Sequence, residues 1–265
     1  MRDDVGFSIS QFRDAWRLLC GASPGYAADG NGTVEYIFSG LPIPFFNVAL
    51  ATGRDVSASA LRTEALQACE WAMPRSVPWM FIVTHEALAT DVDAASVLDQ
   101  CGLTPLIPMT GMRAPRIGAA TRFPDDLLLD VPGDEDSCAA VFDVNSAAYG
   151  VSLDACKPTY GKPAFWTGHV PALGRVNGLP VASAAVFMVD GHRYVALVAT
   201  MPEQQRRGYA EAVMRHALDV AASTYGQKPT FLHATDAGRP VYTRMGYERV
   251  ASHTAFIEKR FLEGH

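Results

Sequence analysis

One stretch of the sequence has residue types and spacing suited to chemistry: Gln205-Arg206-Arg207-Gly208-Tyr209-Ala210. It follows an apolar, partly β-branched run that starts at Val195 and a turn marked by Pro202. It opens a segment in which Ala210, Val213, Met214, Ala217 and Ala221 recur at helical spacing. The pattern predicts strand, turn, helix. At such a turn the first N–H groups of the helix lack partners inside it, and with the positive end of the helix dipole they can converge on a phosphate. Gly208, with no Cβ, lets the backbone approach a bound group closely. The alternative is an ordinary strand-to-helix connection. The turn is followed by no Gly-Lys-Ser/Thr and is not a Gly-x-Gly-x-x-Gly, so neither a nucleotidase phosphate loop nor a dinucleotide fingerprint describes it.

A second block lies downstream. Residues 230–235 read as a strand, 237–245 as a short helix, Gly246 as its stop, and Tyr247 as the start of another strand. Within it stands Tyr242-Thr243-Arg244-Met245-Gly246-Tyr247. Together, and in this order, the two blocks resemble those of the GNAT-type N-acetyltransferases. In that family a Q/R-x-x-G-x-G/A turn cradles the pyrophosphate of coenzyme A, and an aromatic-x-x-x-Gly-aromatic segment follows.

The resemblance implies an α/β (α+β) fold with a mixed central sheet flanked by helices, and acetyl-CoA as co-substrate. It also implies acyl transfer to a primary amine by direct attack on the thioester. Position by position, it puts Val198, Ala199 and Thr200 on the strand whose main-chain groups pair with the pantetheine amides like an added strand. Such pairing needs no particular side chain. Gln205, Arg206, Arg207, Gly208, Tyr209 and Ala210 fall at the pyrophosphate turn. Tyr242 matches the tyrosine that gives a proton to the leaving thiolate, although an aromatic residue on a short helix can also be plain core. A phenol of pKa ~10 protonates a thiolate whose acid is near ~8.5 only through a close hydrogen bond in the transition state. Arg244 is expected to face solvent or a phosphate.

The attacking amine, with a pKa of ~10 if lysine-like, must lose a proton. Residues 194–200 offer no carboxylate, Glu203 lies toward the phosphates, and His169, His192 and His233 read more readily as structural. No base is assigned. No cysteine falls in either block, which argues against a covalent thiol intermediate.

Around these blocks the chain alternates helices and strands. A first helix, capped by Ser8 or Ser10, carries Phe12, Trp16, Leu19 and Cys20 on one face. Strands follow at 33–38 and 45–51, then a helix from Ser57 or Ser59 through Leu61, Ala65, Leu66 and Cys69. A buried strand at 78–84, a helix at 87–101 stopped by Gly102, and an extended run at 103–112 complete the half. This is the element order of a GNAT core without a phosphate turn. The chain therefore reads as a tandem member: residues 1–113 a degenerate copy, 114–132 a linker or crossover strand, and 133–265 the catalytic domain. A single domain behind an unrelated extension is the rival. In the second half a helix at 138–149 begins behind Asp134-Glu135-Asp136 and 157–162 reads as a loop. Runs at 165–175, 181–189 and 194–201 form a meander with hairpin turns at Asn177-Gly178 and Asp190-Gly191.

With 265 residues, 49% of them hydrophobic and 19% charged, the chain is globular and can bury a sizeable core. A net charge of −6 argues against a nucleic-acid partner; it would draw a cationic amine, and equally reads as a solvated acidic surface kept for solubility. Five scattered cysteines without a Cys-x-x-Cys pair fit reduced thiols better than a disulfide framework or a zinc site, so no metal is called for. No apolar run approaches the ~18 residues of a membrane span and no apolar leader opens the chain, so a cytoplasmic location and no membrane partner are expected. The expected partner is a small-molecule amine or amino acid held between the two halves. The competing class is a non-catalytic acyl-CoA-binding sensor or interaction module, and transfer to protein N-termini or lysines would require an open groove.

Overall fold

The computed structural model describes residues 3–120 and 123–262. The chain forms two compact units. One takes in the chain up to Met112, His233–Ala237 and the residues from Arg249 on; the other takes in Arg113–Leu232 and Gly238–Glu248. In chain order the elements are α1 (Asp4–Gly21), β1 (Ala27–Gly30), β2 (Val34–Phe38), β3 (Asn47–Ala51), α2 (Ala58–Ala72), β4 (Met80–Thr84), α3 (Ala94–Asp99) and β5 (Leu103–Ala114). They continue with β6 (Leu128–Asp130), α4 (Glu135–Tyr149), α5 (Lys157–Tyr160), β7 (Val170–Val176), β8 (Leu179–Val189) and β9 (His192–Thr200). The last are α6 (Tyr209–Tyr225), β10 (Thr230–Thr235), α7 (Arg239–Arg244) and β11 (Glu248–Glu258). Among the described residues no helix is long and apolar enough to cross a membrane.

In the first unit the strands run β1-β2-β3-β4-β11-β5. Antiparallel β2 and β3 lead through α2 to β4, which lies parallel to β3 in the register Val48↔Met80 to Leu50↔Ile82. The inward face of α2, Leu61, Ala65, Ala68 and Ala72, packs in one core with Trp79, Phe81, Val83 and Leu98. The helix starts at Ser57, whose Oγ accepts from the Ala60 amide at 3.3 Å. At α1 the cap is Asp3, which accepts from the Gly6 amide at 3.0 Å, so Ser8 and Ser10 lie inside the helix rather than at its start. The helix expected over 87–101 shortens to α3. Asp93 caps it through the Ala95 and Ser96 amides, and the preceding residues are spent in a 3-10 turn and in a bridge from Val56 to Leu88.

Where 133–265 was expected as one stretch, β11 groups with the first unit. This strand pairs antiparallel with β4, from His253↔Thr84 to Ile257↔Met80, and completes the first unit's sheet as an inner strand. The physical reason lies in β4, every residue of which is buried. Covered by β3 on one side only, it would leave a row of unpaired backbone groups inside the fold. The Trp79 indole N–H donates to Glu258 at the end of the same strand.

In the second unit β10-β9-β8-β7-β6 follow one another. Asn177-Gly178 and Asp190-Gly191 all have positive φ (51°, 80°, 41° and 72°), the backbone of two-residue hairpins whose twist matches the strands. Asp134 and Ser137 close a reciprocal capping box on α4, and Gly150 ends it at φ 66°. The expected loop at 157–162 contains the single turn α5. The strand expected from 165 begins only at Val170, because a 3-10 turn, held by the Trp166 indole on the Tyr160 carbonyl at 3.0 Å, comes first. Of the two readings of 114–132, linker or strand lent to the second half, the structure has the strand. These residues belong to this unit, supply β6, and bond through Gly118 to Met245 at 2.9 Å.

Candidate functional site

The site is built on a fault in β9. Its antiparallel ladder with β8 runs in register from Val189↔His192 to Ala185↔Ala196, then slips to Ser183↔Ala199 and Ala182↔Thr200. Leu197 takes up the extra residue at φ 53°. Two buried polar side chains, Ser183 and Asn145, hold it there. The Leu197 carbonyl accepts from Ser183 Oγ at 3.0 Å and from Asn145 Nδ2 at 3.3 Å, and Asn145 Nδ2 also donates to Ser183 Oγ at 2.9 Å. A bulge bends its strand. On the other edge of β9 the parallel ladder with β10 covers Arg193↔Thr230 and Tyr194↔Phe231. From Val195 on, that edge carries no ladder bonds among the described residues, and it includes Val198, Ala199 and Thr200. Thr200 Oγ1 is buried without a hydrogen-bond partner among the described residues.

The turn after β9 is a 3-10 turn at Pro202–Gln204, followed by two left-handed residues, Arg206 at φ 63° and Gly208 at φ 89°. Alternation of this kind aims successive N–H groups the same way and makes an anion-binding concavity. Gly208 is the N-cap of α6 and no side chain caps that helix, in contrast to Ser57 at α2. A Cβ at position 208 would meet only Pro124 Cγ, at 3.8 Å, so glycine is required there by φ and not by crowding. Gln205 reaches back to the Thr200 carbonyl at 3.5 Å and ties turn to strand. Tyr209 is 1% exposed and its hydroxyl donates to Asp126 Oδ2 at 2.6 Å, a bond that raises the phenol's pKa. Tyr209 therefore has only its amide to offer a ligand, as does Ala210. Arg206 and Arg207 are exposed at the rim. An open strand edge, an orphaned hydroxyl and an uncapped helix start together fit a ligand with amides followed by a diphosphate.

Tyr242 sits on α7, 8% exposed. Its ring lies on Gly238, where a Cβ would come within 2.8 Å of Tyr242 Cε2, so a larger residue at 238 would displace the phenol. Burial pushes its pKa well above the ordinary phenol range, and the phenols of Tyr149 and Tyr247 push the same way. The Tyr242 hydroxyl makes no hydrogen bond among the described residues. Tyr247 is held apart from the chemistry by its own bond to Thr230 Oγ1 at 2.8 Å. Tyr149, at the end of α4, donates to the Val198 carbonyl at 3.3 Å and is also one of the phenols that act on Tyr242.

Asn145, Tyr149, Ser183, Asp126 and Gly238 escaped the sequence reading. The first four act through partners far along the chain, whereas Gly238, on the same short helix as Tyr242, carried a local signal as a glycine at a helix start. Arg244 is exposed and meets Glu211 at 3.8 Å. Of the histidines weighed as bases, His169 accepts from the Met188 amide at 3.4 Å and packs on Phe187, and burial lowers its pKa. His192 binds the Asp190 carbonyl at 2.8 Å, and His233 belongs to the first unit.

Residues 192–250, which take in β9, the turn, α6 and Tyr242, match the family model described as acetyltransferase (GNAT) domain. The whole chain is similar in fold to a GCN5-related N-acetyltransferase from Kribbella flavida, at 20% identity over 98% of this chain and 96% of that one, TM-score 0.70. It is also similar to a putative GNAT-family acetyltransferase from Novosphingobium aromaticivorans, at 16% identity over 94% and 97%, TM-score 0.53. A tandem GNAT protein from the clavulanic acid biosynthesis pathway aligns at 10% identity over 96% and 93%, TM-score 0.57. No curated protein sequence matches the chain.

Proposed function

We propose that this chain is a GNAT-type N-acetyltransferase, a reading supported by the family match over 192–250 and the likeness in fold, and that it transfers the acetyl group of acetyl-CoA to a primary amine of a small molecule or amino acid. The observation that carries this is the continuity of a bulged, half-unpaired β9 with an uncapped α6. The open edge at Val198, Ala199 and Thr200 suits the pantetheine amides, and the amides from Arg206 to Ala210 suit the diphosphate. Bound there, acetyl-CoA supplies a thioester carbonyl open to an amine. In direct attack the amine nitrogen bonds to that carbon, the carbon–sulfur bond breaks, and the amine's surplus proton balances the one the sulfur takes up. Tyr242, protonated and with an uncommitted hydroxyl, is the group suited to donate to the sulfur. The acidic net charge favours a cationic acceptor.

A second reading, a non-catalytic acyl-CoA sensor, draws on the same burial of Tyr242. A phenol whose pKa is pushed up is a poorer acid than the thiol it would have to serve. Calorimetric titration of coenzyme A, followed by turnover of acetyl-CoA with a panel of amines, separates the two. Binding with turnover supports the enzyme, binding without turnover on any amine supports the sensor, and no heat of binding defeats both.

A further inference from the structure

The second unit also contains a cavity of about 710 Å3 that the acyl-CoA site does not use. Its polar walls are Arg116, Arg193, Arg215, Lys228 and Asp219, with Phe123 among the apolar ones. Along α6 it lies at Leu218 and Asp219, ~16 Å from Gly208 at 1.5 Å per residue. With Arg215 also on its wall, it reaches from the middle of the helix toward its C-terminal half and includes none of the turn residues 205–210.

The charge balance of the cavity is uneven: among the described residues four cationic residues and one carboxylate line its walls. Arg215 is balanced by Glu211, which its Nε and Nη2 reach at 3.0 and 2.8 Å, and its Nη1 donates to the Gly118 carbonyl at 2.6 Å. Arg193 is different. It is 3% exposed, its Nε and Nη2 donate to the Lys228 carbonyl at 2.9 and 2.6 Å, and its Nη1 donates to the Leu218 carbonyl at 3.0 Å. No carboxylate forms an ion pair with it among the described residues. Burial disfavours its charge, Tyr247 and Asp219 offset this only in part, and its hydrogen bonds go to carbonyl dipoles alone. Three of its five N–H groups satisfy those bonds, which leaves donors over. The carbonyls also fix the fork in place, so a ligand would meet a preorganised cation, with Arg215, exposed Arg116 and half-buried Lys228 on the same walls.

We propose that this cavity binds a small, multiply charged oxyanion, a polycarboxylate or a phosphate, at a site separate from the turn at Gly208. The volume falls in the range of small-molecule sites, and guanidinium forks match the geometry of both anion classes.

Calorimetric titrations of citrate and of inorganic phosphate into the full-length protein test this, and the tighter binder names the class. Saturable binding of either anion is expected. It should weaken by at least about tenfold in the surface double variant Arg116→Gln/Lys228→Gln, a loss of about 1.4 kcal/mol, and stay unchanged in Gly208→Val. No saturable binding of either anion, or binding that survives the double variant, overturns the proposal. Coenzyme A titrated into the same double variant should keep its wild-type behaviour, so failure at one site is read independently of failure at the other.

Discussion

The hydroxyl of Tyr149 donates to the carbonyl of Val198 at 3.3 Å, and the same phenol adds to the upward shift of Tyr242. One side chain at the end of α4 thus links the bulged strand to the candidate proton donor. A hydrogen bond of this kind is worth about 1 kcal/mol net, or about fivefold in an equilibrium. Under the acetyltransferase reading, Tyr149→Phe should raise KM for acetyl-CoA by about that factor and leave kcat nearly unchanged. Steady-state kinetics decide, and an unchanged KM would remove Tyr149 from the site.

Tyr242→Phe should lower kcat by about tenfold to a hundredfold, within the reach of general acid catalysis, with coenzyme A affinity held. Because the hydroxyl has no protein partner among the described residues, thermal stability should be unchanged or slightly higher. The raised pKa keeps the donor form present below it, so turnover should not decline through the ordinary phenol pKa of ~10. An alkaline limb at that pH would argue against Tyr242 as the donor.

At Gly208 the strain is conformational. Forcing a β-branched side chain to φ 89° costs about 1–3 kcal/mol. Relief by rotating the turn would misdirect the amides of α6. Gly208→Val should therefore weaken coenzyme A binding by about tenfold or more, and Gly208→Ala by less, while the circular dichroism spectrum stays the same. Equal affinities in all three proteins would mean that the diphosphate sits elsewhere.

The first unit contains a buried relay. His253 Nε2 meets Ser8 Oγ at 2.9 Å, His253 Nδ1 meets Thr84 Oγ1 at 2.9 Å, and Ser8 Oγ also meets His233 Nε2 at 3.3 Å. Burial, with a smaller contribution from His85, lowers the pKa of His253 to about 3, and burial likewise lowers that of His233. Both rings are neutral when folded and take up a proton when unfolded below about pH 6.5. Stability is therefore full above that pH and falls on acidification, by about 1.4 kcal/mol per pH unit from His253 alone, until its folded pKa is passed. Urea unfolding between about pH 6.5 and 5 should show this slope, and His253→Gln should flatten it. A slope identical in the variant would place the titration elsewhere.

Removing the chain from Arg249 onward takes out β11, the inner strand between β4 and β5. The two edges it leaves are apolar and unpaired. Limited proteolysis of this truncated protein should cut throughout residues 3–112, and its unfolding should lose cooperativity. A truncated form as protease-resistant as the full chain would show that the first unit closes without its last strand.

The order of elements around the candidate site was legible because its signals are local. The β-branched run before Pro202, the helical spacing from Ala210 to Ala221, and the paired turns Asn177-Gly178 and Asp190-Gly191 each express the preferences of a few neighbouring residues. Where a local rule competed with a better one nearby, the sequence misled. Asp93 caps a helix of six residues where the apolar spacing suggested a longer one, and Asp3 takes the role expected of Ser8 or Ser10.

What the sequence by itself determined is the strand, turn and helix that any ligand at Gly208 would meet, since capping, periodicity and positive φ are properties of short segments. Only the tertiary structure decided the rest. Asn145 and Ser183 converge on the Leu197 carbonyl, Tyr149 reaches Val198, Asp126 holds Tyr209, Arg193 is buried on the Lys228 and Leu218 carbonyls, and β11 crosses into the first unit. Each of these joins residues far apart in the chain, and such contacts are selected by burial and hydrogen-bond satisfaction in the finished fold, which no short window of sequence records.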